Sequence, residues 1–157
     1  MAQLPQEFLT RMQDMLGDEF DAFLTSYDAP RTAGLRVNTK KCRTEDFPPL
    51  VPGTWKKIPW IPNGYFVPDG MRMGQSPLYA AGVFYLQEPS AMTPAARFPV
   101  EPGERVLDLC AAPGGKSTHL ADRMQGKGLL VSNEIHPARA KILAQNIERM
   151  GIAHAVV

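Results

Sequence analysis

From residue 104 onward, short apolar runs alternate with helical periods, and this alternation limits the possible folds more than any other feature of the chain. ERVLDL (104–109) reads as a short buried strand, and GKSTHLADRMQ reads as a helix closed by Gly126. GLLVSNE (128–134) is a second buried strand. HPARAKILAQNIERMG is a second helix, with Pro137 in its first turn, Ile142, Leu143 and Ile147 on one face, and Gly151 at its end. IAHAVV begins a third strand. Strand, helix, strand, helix, strand predicts a parallel α/β sheet with right-handed crossovers, of which three strands make half.

The preceding residues follow a different pattern. PQEFLTRMQDMLG places Phe8, Leu9, Met12, Met15 and Leu16 on one side of a helical period, with Pro5 at the start and Gly17 at the stop. Asp18 is placed to cap a second helix, in which Phe20, Phe23, Leu24 and Tyr27 share a face ahead of Pro30. GLRVNTK (34–40) sets Leu35, Val37 and Thr39 against Arg36, Asn38 and Lys40, the pattern of a half-exposed strand with a basic polar side. Six prolines in residues 48–68, interleaved with Trp55, Trp60, Tyr65 and Phe66, favour short strands and turns. DGMRMGQSP (69–77) reads as a loop, and LYAAGVFYLQEPSAMTPAARF as one or two short helical turns. The expected organisation is a small α+β N-terminal lobe over 1–74, followed by a linker and a partial Rossmann-like α/β sheet over 75–157.

Composition excludes several classes of protein. The 157 residues are 44% hydrophobic and 21% charged, the balance of a globular chain rather than a disordered one. The longest stretch without charge, Met73 to Gln87, contains polar residues and falls short of the ~20 apolar residues of a membrane-spanning helix. MAQLPQEFLTRM lacks the plan of a secretory signal, so a cytoplasmic protein is expected. Cys42 and Cys110 form no CxxC pair or His/Cys cluster, and neither a disulfide framework nor a metal site is indicated. The net charge of +1 is uninformative, but its distribution is not. Residues 1–30 hold six acids and one base, whereas residues 31–57 hold seven bases (Arg31, Arg36, Lys40, Lys41, Arg43, Lys56, Lys57) and two acids.

CAAPGGKST (110–118) resembles a phosphate-binding loop but does not satisfy its rules. A Walker loop, G-x-x-x-x-G-K-[ST], needs its first glycine at position 110, where Cys110 stands. Pro113 has no N–H to offer, and the G-x-G-x-x-G fingerprint fails because only the adjacent Gly114 and Gly115 are present. What remains is a turn of small residues opening onto a helix start, whose free N–H groups suit a carboxylate. Glu134 follows at the end of the next strand, 19 residues after Gly115, where an acid can accept the hydroxyls of an unmodified ribose. Turn and acid together describe a nucleoside site without phosphates, and S-adenosyl-L-methionine suits it.

VLDLCAAPGGKSTHLA, SNEIHPARAKILAQNIERMG and, upstream, GLRVNTKK and FYLQEPSAM resemble the Sun-type RNA (cytosine-5)-methyltransferases over nearly the whole chain. The N-terminal region is most similar to the bacterial members that methylate small-subunit ribosomal RNA. The resemblance implies a class I methyltransferase sheet of Rossmann-like form behind an RNA-contacting lobe, and a cytoplasmic protein, monomeric when complete. It implies that Cys110, Ala111, Ala112, Pro113, Gly114, Gly115 and Lys116 line the S-adenosyl-L-methionine site and that Glu134 holds the ribose. Family members add a cysteine thiolate to C6 of cytosine before C5 takes the methyl group, and the cysteines concerned lie on later strands. No catalytic residue is therefore assigned here, because Cys110 matches the cofactor loop. The expectation is the front part of an enzyme, inactive alone.

Other readings stay open on the residues alone. Asp108 braces the turn or touches the ligand, Lys116 meets a carboxylate or decorates a helix, and Glu134 is a ribose acceptor or a solvated strand end. The basic run from Arg31 to Lys57, with Trp55 and Trp60, tracks RNA or is a solvated surface. The His119, His136 and His154 spacing suggests no ligand set. A degenerate P-loop NTPase and a non-catalytic RNA-binding adaptor are the competing functions.

Overall fold

The structure, a computed structural model, describes residues 4–157, in two compact units divided after Arg31. The first carries helix α1 (Gln6–Leu16), a 3-10 turn (Gly17–Glu19) and helix α2 (Phe20–Ser26). Phe23 joins the helices, its ring 6.2 Å from Phe8 and 5.3 Å from Tyr27. Asp18 lies within the 3-10 turn, so α2 starts one residue later than the capping pattern predicts, without a side-chain cap. No helix of the described residues is long and apolar enough to cross a membrane.

The second unit contains two sheets. Strands β1 (Gly34–Val37), β2 (Lys56–Lys57), β3 (Gly64–Phe66) and β4 (Phe84–Leu86) form an antiparallel sheet in the order β2-β3-β1-β4. Short helices α3 (Phe47–Leu50) and α4 (Pro77–Ala80) lie in its connections. β4 falls where the sequence suggests helical turns, because an apolar run this short carries no decisive period and is settled by its pairing with β1. Leu35, Val37, Phe47, Tyr65, Met73 and Phe84 form the core of this sheet, with Trp55 packed against them and donating from Nε1 to Val51 O.

Helix α5 (Pro89–Arg97) leads into the parallel part: β5 (Arg105–Asp108), α6 (Gly115–Arg123), β6 (Leu129–Ser132), α7 (Pro137–Arg149) and β7 (Ala155–Val156), with strand order β5-β6-β7. This is the expected partial α/β sheet. It is buried on one face only, since Leu107, Leu129, Val131 and Val156 are exposed on the other. Right-handed crossovers that step in one direction put both α6 and α7 on the same side of the sheet. In α7, Leu143 and Ile147 are buried, but Ile142 is 48% exposed, one helical step off that face.

The largest departure from the sequence pattern is β1. Its alternation suggests a wet, basic face, yet all four residues are buried, Arg36 completely. The polar side packs on α6 and the end of α7. Arg36 Nη2 donates to Thr118 Oγ1 at 2.8 Å and to Gly115 O at 3.4 Å, with Asp122 4.0 Å from Nη1. Burial pulls this guanidinium down to about 10, against the opposing pull of Asp122. Asn38 Nδ2 donates to Gly82 O and Met150 O. Lys40 reaches Gly151 O, and Lys41 reaches Arg149 O and Ala81 O, cations meeting the carbonyl end of a helix as its dipole favours. Gly82 (φ +68°) permits this approach: a Cβ there would lie 1.9 Å from Arg149 O.

Candidate cofactor site

The site forms where β5 and β6 end side by side. Their parallel register pairs Asp108 with Ser132, and Asn133 N then donates to Asp108 O while Asn133 O accepts from Ala111 N. Asp108 acts as a brace: Oδ2 accepts from Ser117 Oγ at 2.6 Å and Oδ1 from Cys110 N at 3.3 Å. Gly114 stands at the N-cap of α6 with φ +111°, so the chain turns there into the helix in a left-handed conformation that glycine tolerates without strain. Ala111, Leu143 and Ile147 pack together beneath the turn.

The carbonyls of the loop are drawn away by side chains that the sequence did not single out. Asn133 Nδ2 holds Leu109 O, Arg139 Nη2 holds Ala112 O at 3.1 Å, and Pro113 O accepts from Asn146 Nδ2 at 2.8 Å and from the Tyr85 hydroxyl at 3.3 Å. Among the loop amides, those of Cys110 and Gly114 are occupied by Asp108 and Ala111 O, and that of Ala111 by Asn133 O. The first-turn amides of α6, on Gly115, Lys116 and Ser117, have no acceptor within the helix. A triphosphate cradle needs successive free amides along the loop, whereas this turn offers them only at the helix start. That suits one carboxylate.

A cleft of about 220 Å³ lies against the loop, lined by Gln87, Ala91, Cys110 to Pro113, Gly115 and Lys116. Six of the seven predicted loop residues line the cleft, and Gly114 does not; Cys110, Pro113 and Lys116 are exposed, and Ala111, Gly114 and Gly115 are buried. Gln87, from FYLQEPSAM, joins them: its Nε2 donates to Ala91 O, while its buried Oε1 has no partner. Glu134 does not line this cleft. Its side chain is only 4% exposed, with Oε2 3.2 Å from Arg139 Nη1 and Oε1 accepting from His136 N at 3.0 Å. Each oxygen of a carboxylate accepts about two hydrogen bonds, so lone pairs remain for a ligand hydroxyl. Glu134 and the loop are connected through Arg139.

Cys42 and Cys110 are both free thiols. Burial, with Asp46 and Glu45, pushes the Cys42 thiol up, and its Sγ contacts Arg43 O. Cys110 is exposed in the loop. His119 in α6 is buried and pulled down to about 3, mainly by burial and then by the positive charges of Arg36 and Arg123, so it stays neutral near pH 7. The basic run divides: Arg36, Lys40 and Lys41 are engaged as described, Arg43 pairs with Asp46 at 2.7 Å, and Lys56 and Lys57 are exposed on β2. Trp55 is a core residue. Trp60 remains 39% exposed.

The chain is similar to known proteins over nearly its whole length. The family described as the N-terminal domain of 16S rRNA methyltransferase RsmF matches residues 4–89, and that described as 16S rRNA methyltransferase RsmB/F matches residues 96–157. The chain is 37% identical over 164 residues to ribosomal RNA small subunit methyltransferase F of Enterobacter sp. (strain 638), and 36% to that of Escherichia coli O1:K1 / APEC. Each alignment covers 98% of the chain and 34% of the relative, so the chain spans about a third of the length of these curated relatives. A methyltransferase homologue from Pyrococcus horikoshii superposes with a TM-score of 0.87 at 26% identity, over 98% of this chain and 52% of that one. NSun6 from the same organism, solved with SFG, shares the fold at a TM-score of 0.83 and 16% identity, over 97% of this chain and 64% of that one. With the first family covering more than half of its residues and the second most of the remainder, the chain belongs to the RsmB/F family of 16S rRNA methyltransferases.

Proposed function

We propose that these residues form the S-adenosyl-L-methionine-binding and RNA-contacting part of an enzyme that methylates C5 of cytosine in small-subunit ribosomal RNA, acting in the cytoplasm as a monomer. One observation carries the reading: a loop with tied-back carbonyls opens onto unengaged first-turn amides, one arginine away from the buried carboxylate of Glu134. In this reading the amides of Gly115, Lys116 and Ser117 take the methionine carboxylate and Glu134 takes the ribose hydroxyls. Cys110, Ala111, Ala112, Pro113 and Gly114 form the wall between them. The bound cofactor would supply a methyl group on a sulfonium. RNA contact is assigned to the lobe of residues 1–74, at Lys56, Lys57 and the exposed face of Trp60, because Lys40 and Lys41 are engaged with main-chain carbonyls, Arg36 with Thr118 and Gly115 O, and Arg43 with Asp46. Residues 1–3 of that lobe lie outside the described residues.

The methyl transfer belongs to the complete protein. Cys42 and Cys110 serve as a packed thiol and a loop residue, so the 157-residue chain is expected to bind the cofactor and leave RNA unmethylated. Titration calorimetry with S-adenosyl-L-methionine and with ATP-magnesium tests the reading. Heat of binding from the first and none from the second is expected, and Glu134→Ala should weaken the first. Binding of ATP-magnesium alone would favour a degenerate P-loop NTPase. The engagement of Glu134 with Arg139 and His136 favours one second reading, a non-catalytic RNA-binding adaptor whose loop is only a structural turn. Under it Glu134→Ala changes no ligand affinity.

A further inference from the structure

We propose that Arg139 is a positioning residue that clasps the two halves of the cofactor site. The inference rests on the cofactor reading of that site and concerns a residue to which the sequence alone assigned no role. Arg139 occupies the first turn of α7, where unpaired amides and the positive end of the helix dipole disfavour a cation. Its guanidinium is nevertheless engaged at both ends, Nη1 with Glu134 Oε2 at 3.2 Å and Nη2 with Ala112 O at 3.1 Å. The planar fork thereby sets the distance between the ribose-holding carboxylate and the loop that faces the methionine end. Glu134 is held from the opposite side by His136 N, so its orientation is determined before any ligand arrives. A site pre-organised in this way spends less of its binding energy on ordering the loop.

Lysine in place of Arg139 reaches one of the two acceptors but not both, which separates charge from bridging. The experiment measures S-adenosyl-L-methionine affinity by calorimetry and amide hydrogen exchange without ligand, for wild type, Arg139→Ala and Arg139→Lys. Without the guanidinium, Glu134 forfeits its ion pair and Ala112 O a charge-assisted hydrogen bond, so Arg139→Ala should bind about tenfold more weakly and Arg139→Lys should fall between. In the alanine variant the amides of Ala111 and Gly114 should exchange about tenfold faster, while those of β1 and β4 keep wild-type rates.

The clasp is overturned by unchanged exchange at Ala111 and Gly114, by equal acceleration of all protected amides, or by undiminished affinity in Arg139→Ala when wild type binds. A wild type that binds no S-adenosyl-L-methionine sinks the cofactor reading instead. The unliganded exchange rates then still decide whether Arg139 holds the loop.

Discussion

Acidification from about pH 7.5 to about pH 5 should destabilise the second unit by about 2 kcal/mol through one side chain, His119. The residue is 3% exposed in α6, and its Nδ1 has no hydrogen-bond partner. Burial, reinforced by Arg36 and Arg123, pulls it down to about 3 from its ordinary 6.5. The folded value is the lower one, so the unfolded chain binds the extra proton. Stability is complete above pH 6.5 and falls as pH drops toward 3. At about pH 5 the unfolded state gains a factor of about 30 from protonation, which at about 1.36 kcal/mol per tenfold is about 2 kcal/mol. His154 acts in the same direction, since burial and Lys40 lower it too. Glu88 and Asp46 are lowered carboxylates, so their losses begin only as pH falls below the ordinary carboxylate range near about 4, outside this window. The assay is urea unfolding of wild type and His119→Leu across the window. The wild-type curve should drop more steeply by about 2 kcal/mol, and parallel curves would refute the argument.

Two further perturbations probe the seam between the sheets and the surface assigned to RNA. Gly82→Ala forces a left-handed alanine against Arg149 O, 1.9 Å from its Cβ, and should cost about 3 kcal/mol or more in urea unfolding; a loss below about 1 kcal/mol would mean that the end of α7 yields freely. Lys56→Ala with Lys57→Ala should leave stability intact and reduce the slope of log K for RNA against log salt by about 2, whereas Lys41→Ala should lower stability and spare the slope. An unaltered slope in the double variant would remove β2 from the RNA surface.

The parallel part of the fold was legible because its strands are apolar runs bounded by Gly103, Gly126, Gly128 and Pro137, and because the family motif spans the first turn and second strand. β1 misled for a definite reason. Alternation records only which side chains are polar, and Arg36 and Asn38 found buried main-chain and hydroxyl partners on α6 and α7 instead of water. β4 was missed because YAAGVFYLQ has too few residues to show a period. In the site, the loop and Glu134 were visible as residue types with a known spacing. Arg139, Asn133 and Asn146 were not, since they act on main-chain carbonyls of distant residues, contacts that only the folded chain creates.

Diffraction from crystals grown with S-adenosyl-L-homocysteine tests the central claim most directly. The account predicts its carboxylate over the amides of Gly115 to Ser117 and its ribose hydroxyls on the Glu134 carboxylate, with Arg139 still joined to Ala112 O. A nucleoside bound elsewhere, or a ribose that leaves Glu134 paired only with Arg139 and His136, would contradict it.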